Sequence, residues 1–144
     1  MTTAIINTDM NIGPFKIPGN GQNMILNNYA ERNKIIVEEI IPEPFMSNAL
    51  ATTQWVHKKK KLKKVILCSI HQLPQKQKRI ENLTNTMGDV EFHFALEGIS
   101  GKGSKFLLNC VKEAKIFREA KIIDSTKTSW SDLYKLKQET SSGS

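Results

Sequence analysis

The 144-residue chain predicts an α/β domain with a mostly parallel sheet of four or five strands and helices on both faces, three layers in all. Three observations predict it. Short apolar runs alternate along the chain with stretches whose apolar residues recur at helical spacing. One run, Val65-Ile66-Leu67-Cys68-Ser69-Ile70, is almost continuously apolar, as a strand buried on both faces requires. The links between segments are short, so successive strands need crossover helices, which makes the sheet parallel. A 39% apolar and 24% charged composition suits one ordinary core.

Taken in order, residues 1–13 form an N-terminal segment in which Ile5-Ile6 reads as a short strand or as part of a tail. The α/β domain is expected over 14–123. Gly13 to Gly21 is rich in Gly and Pro and predicts a loop. From Gln22, with Asn20 as N-cap, Ile25, Leu26, Tyr29 and Ala30 mark a helix ending near Asn33. Ile35-Ile36-Val37 and Ile40-Ile41 frame a strand stopped by Pro42 and Pro44. Ser47 caps a second helix running through Leu50, Trp55 and Val56 into a lysine block. After the strand at Val65 to Ile70, Pro74 breaks the chain. Ile80, Leu83 and Met87 place a third helix, with Gly88 as its stop, and Val90 to Leu96 is the next strand. Phe106, Leu107, Cys110, Val111, Ala114 and Phe117 lie on one face of a long fourth helix. Met24, Met46 and Met87 read as core filler. Residues 124–144 hold a short docking helix at Trp130, Leu133, Tyr134 and Leu136, then a flexible tail. No internal repeat is visible.

The net charge of +7 is local: Lys58, Lys59, Lys60, Lys61, Lys63 and Lys64 are six lysines in one block, and without them +7 falls to +1. The block reads first as a solvated helix end, where cations complement the dipole. Nucleic acid is the less favoured partner, since no aromatic is interleaved to stack bases. Cys68 and Cys110 both sit among apolar residues and read as buried thiols, with no His or acidic partners at metal-ligand spacing. Neither a metal nor a cofactor is expected. No apolar run approaches the ~20 residues of a membrane span, so no membrane partner is expected. The first residues lack the basic flank and long apolar stretch of a signal peptide, which predicts a cytoplasmic protein.

Three stretches together resemble serine resolvases. Lys16-Ile17-Pro18-Gly19-Asn20-Gly21-Gln22-Asn23 is similar to the resolvase opening, an Arg-x-Ser-Thr loop with Gln four residues past the serine. Lys16 stands at the arginine, Pro18 at the serine and Gln22 at the glutamine. Val65-Ile66-Leu67 opens the strand ahead of the Leu-Asp-Arg-Leu motif, which reads Ile70-His71-Gln72-Leu73 here. Val90 to Ser100 follows the strand and turn that end in acidic-Gly-Ile-Ser, here Glu97-Gly98-Ile99-Ser100. The likeness implies a resolvase-like fold with a flavodoxin-like strand order. It also implies loss of the chemistry, because proline has no hydroxyl and the arginines of the central motif are missing, with Gln72 and Gln75 nearby. Attack on phosphate needs an activated nucleophile and positioned cations. A second resemblance covers about Gly13 to Ser100. Pro14-Phe15, Lys16 to Asn23, Ser69-Ile70-His71-Gln72-Leu73-Pro74 and His93 to Glu97 resemble the sporadic carbohydrate cluster family. That resemblance implies a role beside bacterial surface-polysaccharide synthesis (capsule or lipopolysaccharide).

Parallel α/β sheets bind ligands beyond the carboxyl ends of their strands. The strands as read put Lys16, Gln22, Asn23, His71, Gln72, Glu97 and Ser100 on that rim, a set suited to a small anionic or sugar ligand such as a sugar phosphate or nucleotide sugar. His71 and Glu97 are the candidate acid/base pair, and Gly19 and Gly21 offer backbone N–H groups before a helix. Each also has a bland reading. Gln22 can cap its own helix, Glu97 can pair with a lysine, His71 can bond the backbone, and His93 between two phenylalanines reads as a core histidine. The competing functions are a non-catalytic module that oligomerises with itself through the Phe106–Phe117 helix, as resolvases do, and nucleic-acid binding through the lysine block.

Overall fold

Alternation along two strands organises the sheet. In β1 (Thr2–Asn7) Ala4, Ile5 and Ile6 are all inaccessible to solvent, as are Val65, Ile66 and Leu67 in β5 (Leu62–Leu67). Both strands are therefore central. The computed structural model describes residues 2–8, 11–12, 15–43 and 49–127. Between β1 and the first helix lies a small antiparallel hairpin, β2 (Asn11–Ile12) with β3 (Phe15–Lys16). Beside β1 is β4 (Glu39–Pro42), and beyond β5 are β6 (Glu91–Phe94) and β7 (Ile99–Gly101). The sheet order is β4-β1-β5-β6-β7, parallel throughout except for the antiparallel β6–β7 pair. Numbered in chain order its strands run 2-1-3-4-5, the flavodoxin-like sequence.

Because side chains alternate across a strand, the buried residues fall into two clusters. Ile5, Ile66 and Cys68 pack with Leu26, Tyr29 and Ala30 of α1 (Gly19–Arg32). Ala4, Ile6, Val65, Leu67, Phe92 and Phe94 pack with three other helices, α2 (Ala51–Lys59), α3 (Gln77–Met87) and α4 (Ser104–Lys127). Each helix contributes a spaced set: Gln22, Leu26, Tyr29 and Ala30 from α1, Ile80, Leu83 and Met87 from α3, and Leu107, Cys110 and Ala114 from α4. No described helix is long and apolar enough to cross a membrane.

Several boundaries differ from the sequence reading. The sheet starts at Thr2, ahead of the boundary expected at residue 14, and part of the expected Gly13–Gly21 loop is β3 and the first turn of α1. Pro18, not Asn20, is the N-cap, since proline's fixed φ of −58° suits the residue entering a helix. α1 ends in a Schellman motif: Ile35 N–H donates to the Ala30 carbonyl (2.8 Å) and Lys34 N–H to that of Glu31, with Lys34 left-handed at φ 54°. That turn takes up the segment read as strand Ile35 to Val37, and Ile36 is 81% exposed. Pro42 ends β4 from within, tolerated on an edge strand that pairs only with β1.

The expected Ser47 cap lies outside the described residues; α2 starts at Ala51. Its first turn is held by Glu43, whose Oε1 accepts from the Thr53 N–H and from Thr53 Oγ1 (2.7 Å). The lysine block is not one helix end: α2 stops at Lys59, and Lys63 and Lys64 are in β5, drawn into strand by pairing with β1 and β6. β5 accordingly starts and ends earlier than read, and Ile70–Gln72 is a 3-10 turn. The run Val90 to Leu96 yields the shorter β6, then a turn with Gly98 at φ 66° and the return strand β7. Phe117 is 47% exposed rather than on the buried face of α4, and Met24 is 68% exposed while Met87 is buried. The short helix expected at Trp130 to Leu136 and the tail lie outside the described residues, as does Met46.

Candidate functional site

Strand order reverses between β1 and β5, where such sheets open a crevice at their carboxyl ends. The chain leaves β1 at Thr8 and leaves β5 at Cys68. Gln22, fully buried in the first turn of α1, ties this point together. Its Oε1 accepts from the Thr8 N–H (3.0 Å), and its Nε2 donates to the carbonyls of Thr8 (3.2 Å) and Ile17 (2.9 Å). The Cys68 thiol lies 3.7 Å from the Gln22 carbonyl oxygen. Gln22 is therefore a cross-link between β1, the hairpin exit and α1, rather than a cap of its own helix.

Around it three amide atoms are buried without a hydrogen-bond partner among the described residues: Asn7 Oδ1, Asn23 Oδ1 and Gln72 Nε2. Asn7 is the last residue of β1 and shares the Ile5 face, the side covered by α1. Asn23 is the neighbour of Gln22 in α1. Gln72 closes the 3-10 turn after β5, where its Oε1 accepts from the N–H groups of Cys68 (2.7 Å) and Ser69 (3.2 Å).

The same turn is gripped from β6–β7. Ser69 Oγ donates to Glu97 Oε2 and the Ile70 N–H to Glu97 Oε1, both at 2.8 Å, while the His71 N–H donates to Ser69 Oγ. Glu97 thus receives hydrogen bonds from the turn, and among the described residues no lysine pairs with it. The His71 ring meets Phe117 of α4 edge-on at 5.3 Å between centroids, and Arg118 Nη2 reaches the His71 carbonyl at 3.4 Å. Burial, helped by the Arg118 charge, lowers the His71 pKa from its ordinary value.

Gln22 and Gln72 both meet Cys68 at the reversal point, Asn23 follows Gln22 on α1, and Glu97 holds Ser69 and Ile70 next along the same turn. His71 turns toward α4. Lys16 is exposed on the hairpin, and Ser100 is exposed on β7 opposite His93. Gly19 and Gly21 lie within the first turn of α1, not in a loop before it. Of the lysine block, Lys58, Lys59, Lys60, Lys61 and Lys63 are exposed, and Lys64 is half-buried beside Glu91. Sequence reasoning missed Asn7, Thr8 and Ser69; Asn7 and Thr8 had no signal beyond their place after an apolar run, whereas Ser69 followed directly on the strand.

Pro18 stands at the entry of α1, four residues before Gln22, and offers no hydroxyl. Ser69 carries one, but among the described residues its side-chain hydrogen bonds are to a carboxylate and a backbone N–H, not to a cation. Burial, with Glu97 adding to it, pushes the Cys68 thiol up to about 12; burial, with Glu113 and Glu97, pushes Cys110 up to about 11. Neither thiol is activated. Among the described residues, no group of three or more His, Cys, Asp or Glu could hold a metal ion.

No protein-family model matches the chain, and no curated protein does. Among solved structures, the chain is similar to the N-terminal catalytic domain of TP901-1 integrase, with a TM-score of 0.55 and 19% identity, covering 83% of this chain and 98% of that one. At that identity the likeness shows the fold: a resolvase-like, integrase catalytic-domain α/β architecture.

Proposed function

We propose that the protein is a resolvase-like scaffold without recombinase activity that binds a sugar phosphate or nucleotide sugar where β1 and β5 end. The observation that carries this reading is the trio of buried, unpartnered amide atoms on Asn7, Asn23 and Gln72. Leaving a buried polar atom unpaired costs about 1–3 kcal/mol, so three around one fixed point favour a ligand that satisfies them. A sugar hydroxyl both donates and accepts, so it serves a carbonyl oxygen or an amide nitrogen alike. Lys16, exposed on the hairpin that leads into α1, is the cation available for a phosphate. The two core clusters support a three-layer arrangement around this point. A role beside surface-polysaccharide synthesis rests on the sequence resemblance, and a cytoplasmic location on the opening residues, which lack the pattern of a signal peptide.

Thermal-shift titration with UDP-glucose, UDP-N-acetylglucosamine and glucose 1-phosphate tests it. A ligand-dependent rise in Tm is expected, lost in Asn23→Ala and weakened in Lys16→Ala, with the unliganded Tm lowered in neither. No shift with any of the three, or a shift untouched by both variants, overturns the reading.

One observation favours a second reading, self-association through α4. Leu108, Ile116 and Phe117 are 38%, 58% and 47% exposed on that helix. Light scattering on the protein and on Ile116→Glu decides it; a monomer in both refutes it.

A further inference from the structure

The opposite end of the sheet carries a second candidate surface. On α2, buried Thr53, Val56 and His57 face the core, which leaves Trp55, Lys58 and Lys59 together on the outer side at i, i+3 and i+4. Trp55 is 60% exposed, and Lys59 Nζ sits 5.6 Å from the centroid of its ring. The lysine block therefore does have an aromatic among its charges, once the helix turns Trp55 round to meet it.

The frame beneath is fixed. His57 Nδ1 accepts from the Leu62 N–H at 3.0 Å, and its Nε2 lies 3.3 Å from Asp89. The Lys60 N–H donates to the Val56 carbonyl at 2.8 Å. Lys60 Nζ is taken by Glu39 at 2.9 Å. Among the described residues no ion pair engages Lys58, Lys59, Lys61 or Lys63, which leaves four exposed ammonium groups: Lys58 and Lys59 on the last turn of α2 with Trp55, and Lys61 and Lys63 in the chain that follows it into β5.

Lysines neutralise phosphates, and an exposed indole stacks on any unpaired base. With no arginine in the cluster there is no bidentate fork to read base edges. A bilayer fits less well, because it needs several apolar side chains on one plane. Ile40 of β4, 56% exposed, points to the other face, since its neighbour Ile41 is in the α2 cluster.

We infer that Trp55 with Lys58, Lys59, Lys61 and Lys63 forms a binding site for single-stranded nucleic acid without sequence preference. The site is separate from the crevice at the other end of the strands and does not depend on it.

The test uses the full chain carrying Trp130→Phe, so that Trp55 is its only tryptophan, titrated with a 15-nucleotide oligo-dT. Binding quenches Trp55 emission. Each neutralised phosphate contributes about −0.7 to the slope of log affinity on log salt, so four lysines give about −3, roughly a 50-fold loss between 50 and 200 mM salt. Trp55→Ala, followed by anisotropy of labelled oligonucleotide, weakens binding about tenfold or more. Lys58→Gln with Lys59→Gln, Lys61→Gln and Lys63→Gln removes it, whereas Lys60→Gln, already paired, changes it little. All these positions are exposed, so the variants keep the parent circular dichroism. Equal affinity for a duplex of the same length, no effect of Trp55→Ala, or a Trp55 response to vesicles containing phosphatidylserine but not to the oligonucleotide would each overturn the assignment.

Discussion

The Tyr29 hydroxyl lies 2.7 Å from Nδ1 of His93, a buried hydrogen bond that joins α1 to the middle of β6. The rings meet edge-on at 5.6 Å, and His93 Nε2 lies 3.0 Å from Glu91 Oε1. A phenol is the natural donor to a bare ring nitrogen, so the arrangement suits a neutral imidazole that carries its proton on Nε2. Burial is the main cause of a lowered His93 pKa; Glu91 opposes it and Lys64 assists.

Stability should therefore depend on pH in a definite direction. In the unfolded chain a histidine takes up a proton as pH falls through about 6.5, while His93 and His71, both lowered, resist. The unfolded state then binds more protons, so stability is full above that pH and is lost as pH falls toward the folded values. Urea unfolding at pH 7.5 and 5.5 measures it, with lower stability expected at 5.5. NMR titration should show both rings charging below the ordinary imidazole range. A flat stability between the two pH values would contradict the buried, neutral rings.

Gln22 should be architectural and Asn23 should not. Gln22→Ala removes three hydrogen bonds and strands the Thr8 N–H, so about 2–4 kcal/mol of stability is lost. Asn23→Ala deletes a buried atom that has no partner and should leave stability unchanged or raise it by up to about 1 kcal/mol. Equilibrium urea unfolding of the two variants distinguishes them. Equal losses would mean that Asn23 is part of the same network.

Glu43 replaces the cap that sequence would assign to a serine. It is 5% exposed, and its carboxylate accepts from the start of α2 across the undescribed 44–48 segment. Glu43→Ala should cost about 1–2 kcal/mol, as loss of an N-cap does, with the negative charge at a helix N-terminus adding to it. Glu43→Gln keeps an acceptor and should recover part of that. Thermal unfolding of both variants is the check, and an unchanged Tm for Glu43→Ala would remove Glu43 from the cap.

Most of the order of elements was legible because β5 is continuously apolar and the helices carry spaced apolar residues; β1 was not, since Ile5-Ile6 is too short a run to tell a central strand from a tail. Val65 to Leu67 is buried whichever face it turns, and Ile80, Leu83 and Met87 can share a face only in a helix. Boundaries were less so. Leu62-Lys63-Lys64 reads as a helix tail by charge, but pairing with β1 and β6 overrides local preference. β7 is three residues held by its partner, too short for any pattern. At the site, residue types were readable and roles were not. Gln22 and Glu97 act through Thr8, Ser69 and Ile70, partners far along the chain that only the fold brings close. Trp55 and Lys59 are four apart on the helix the sequence predicts, but an aromatic looked for only within the charge run misses the one a helical turn before it.

Both thiols should be inert in the folded protein. The thiolate is the reactive form, and with Cys68 at about 12 and Cys110 at about 11, almost none exists at pH 8. Both are also buried from the reagent. Treatment with a coloured aryl disulfide at pH 8 should therefore label neither cysteine over minutes in buffer, and both at once in guanidinium. Glu97→Gln removes a charge that raises both values and should speed native labelling somewhat, chiefly by loosening the turn at Ser69 and Ile70 that the carboxylate holds. If either cysteine of the parent protein reacts at the denatured rate, its neighbours are not packed as described: Gln22 beside Cys68, or the apolar face of α4 around Cys110.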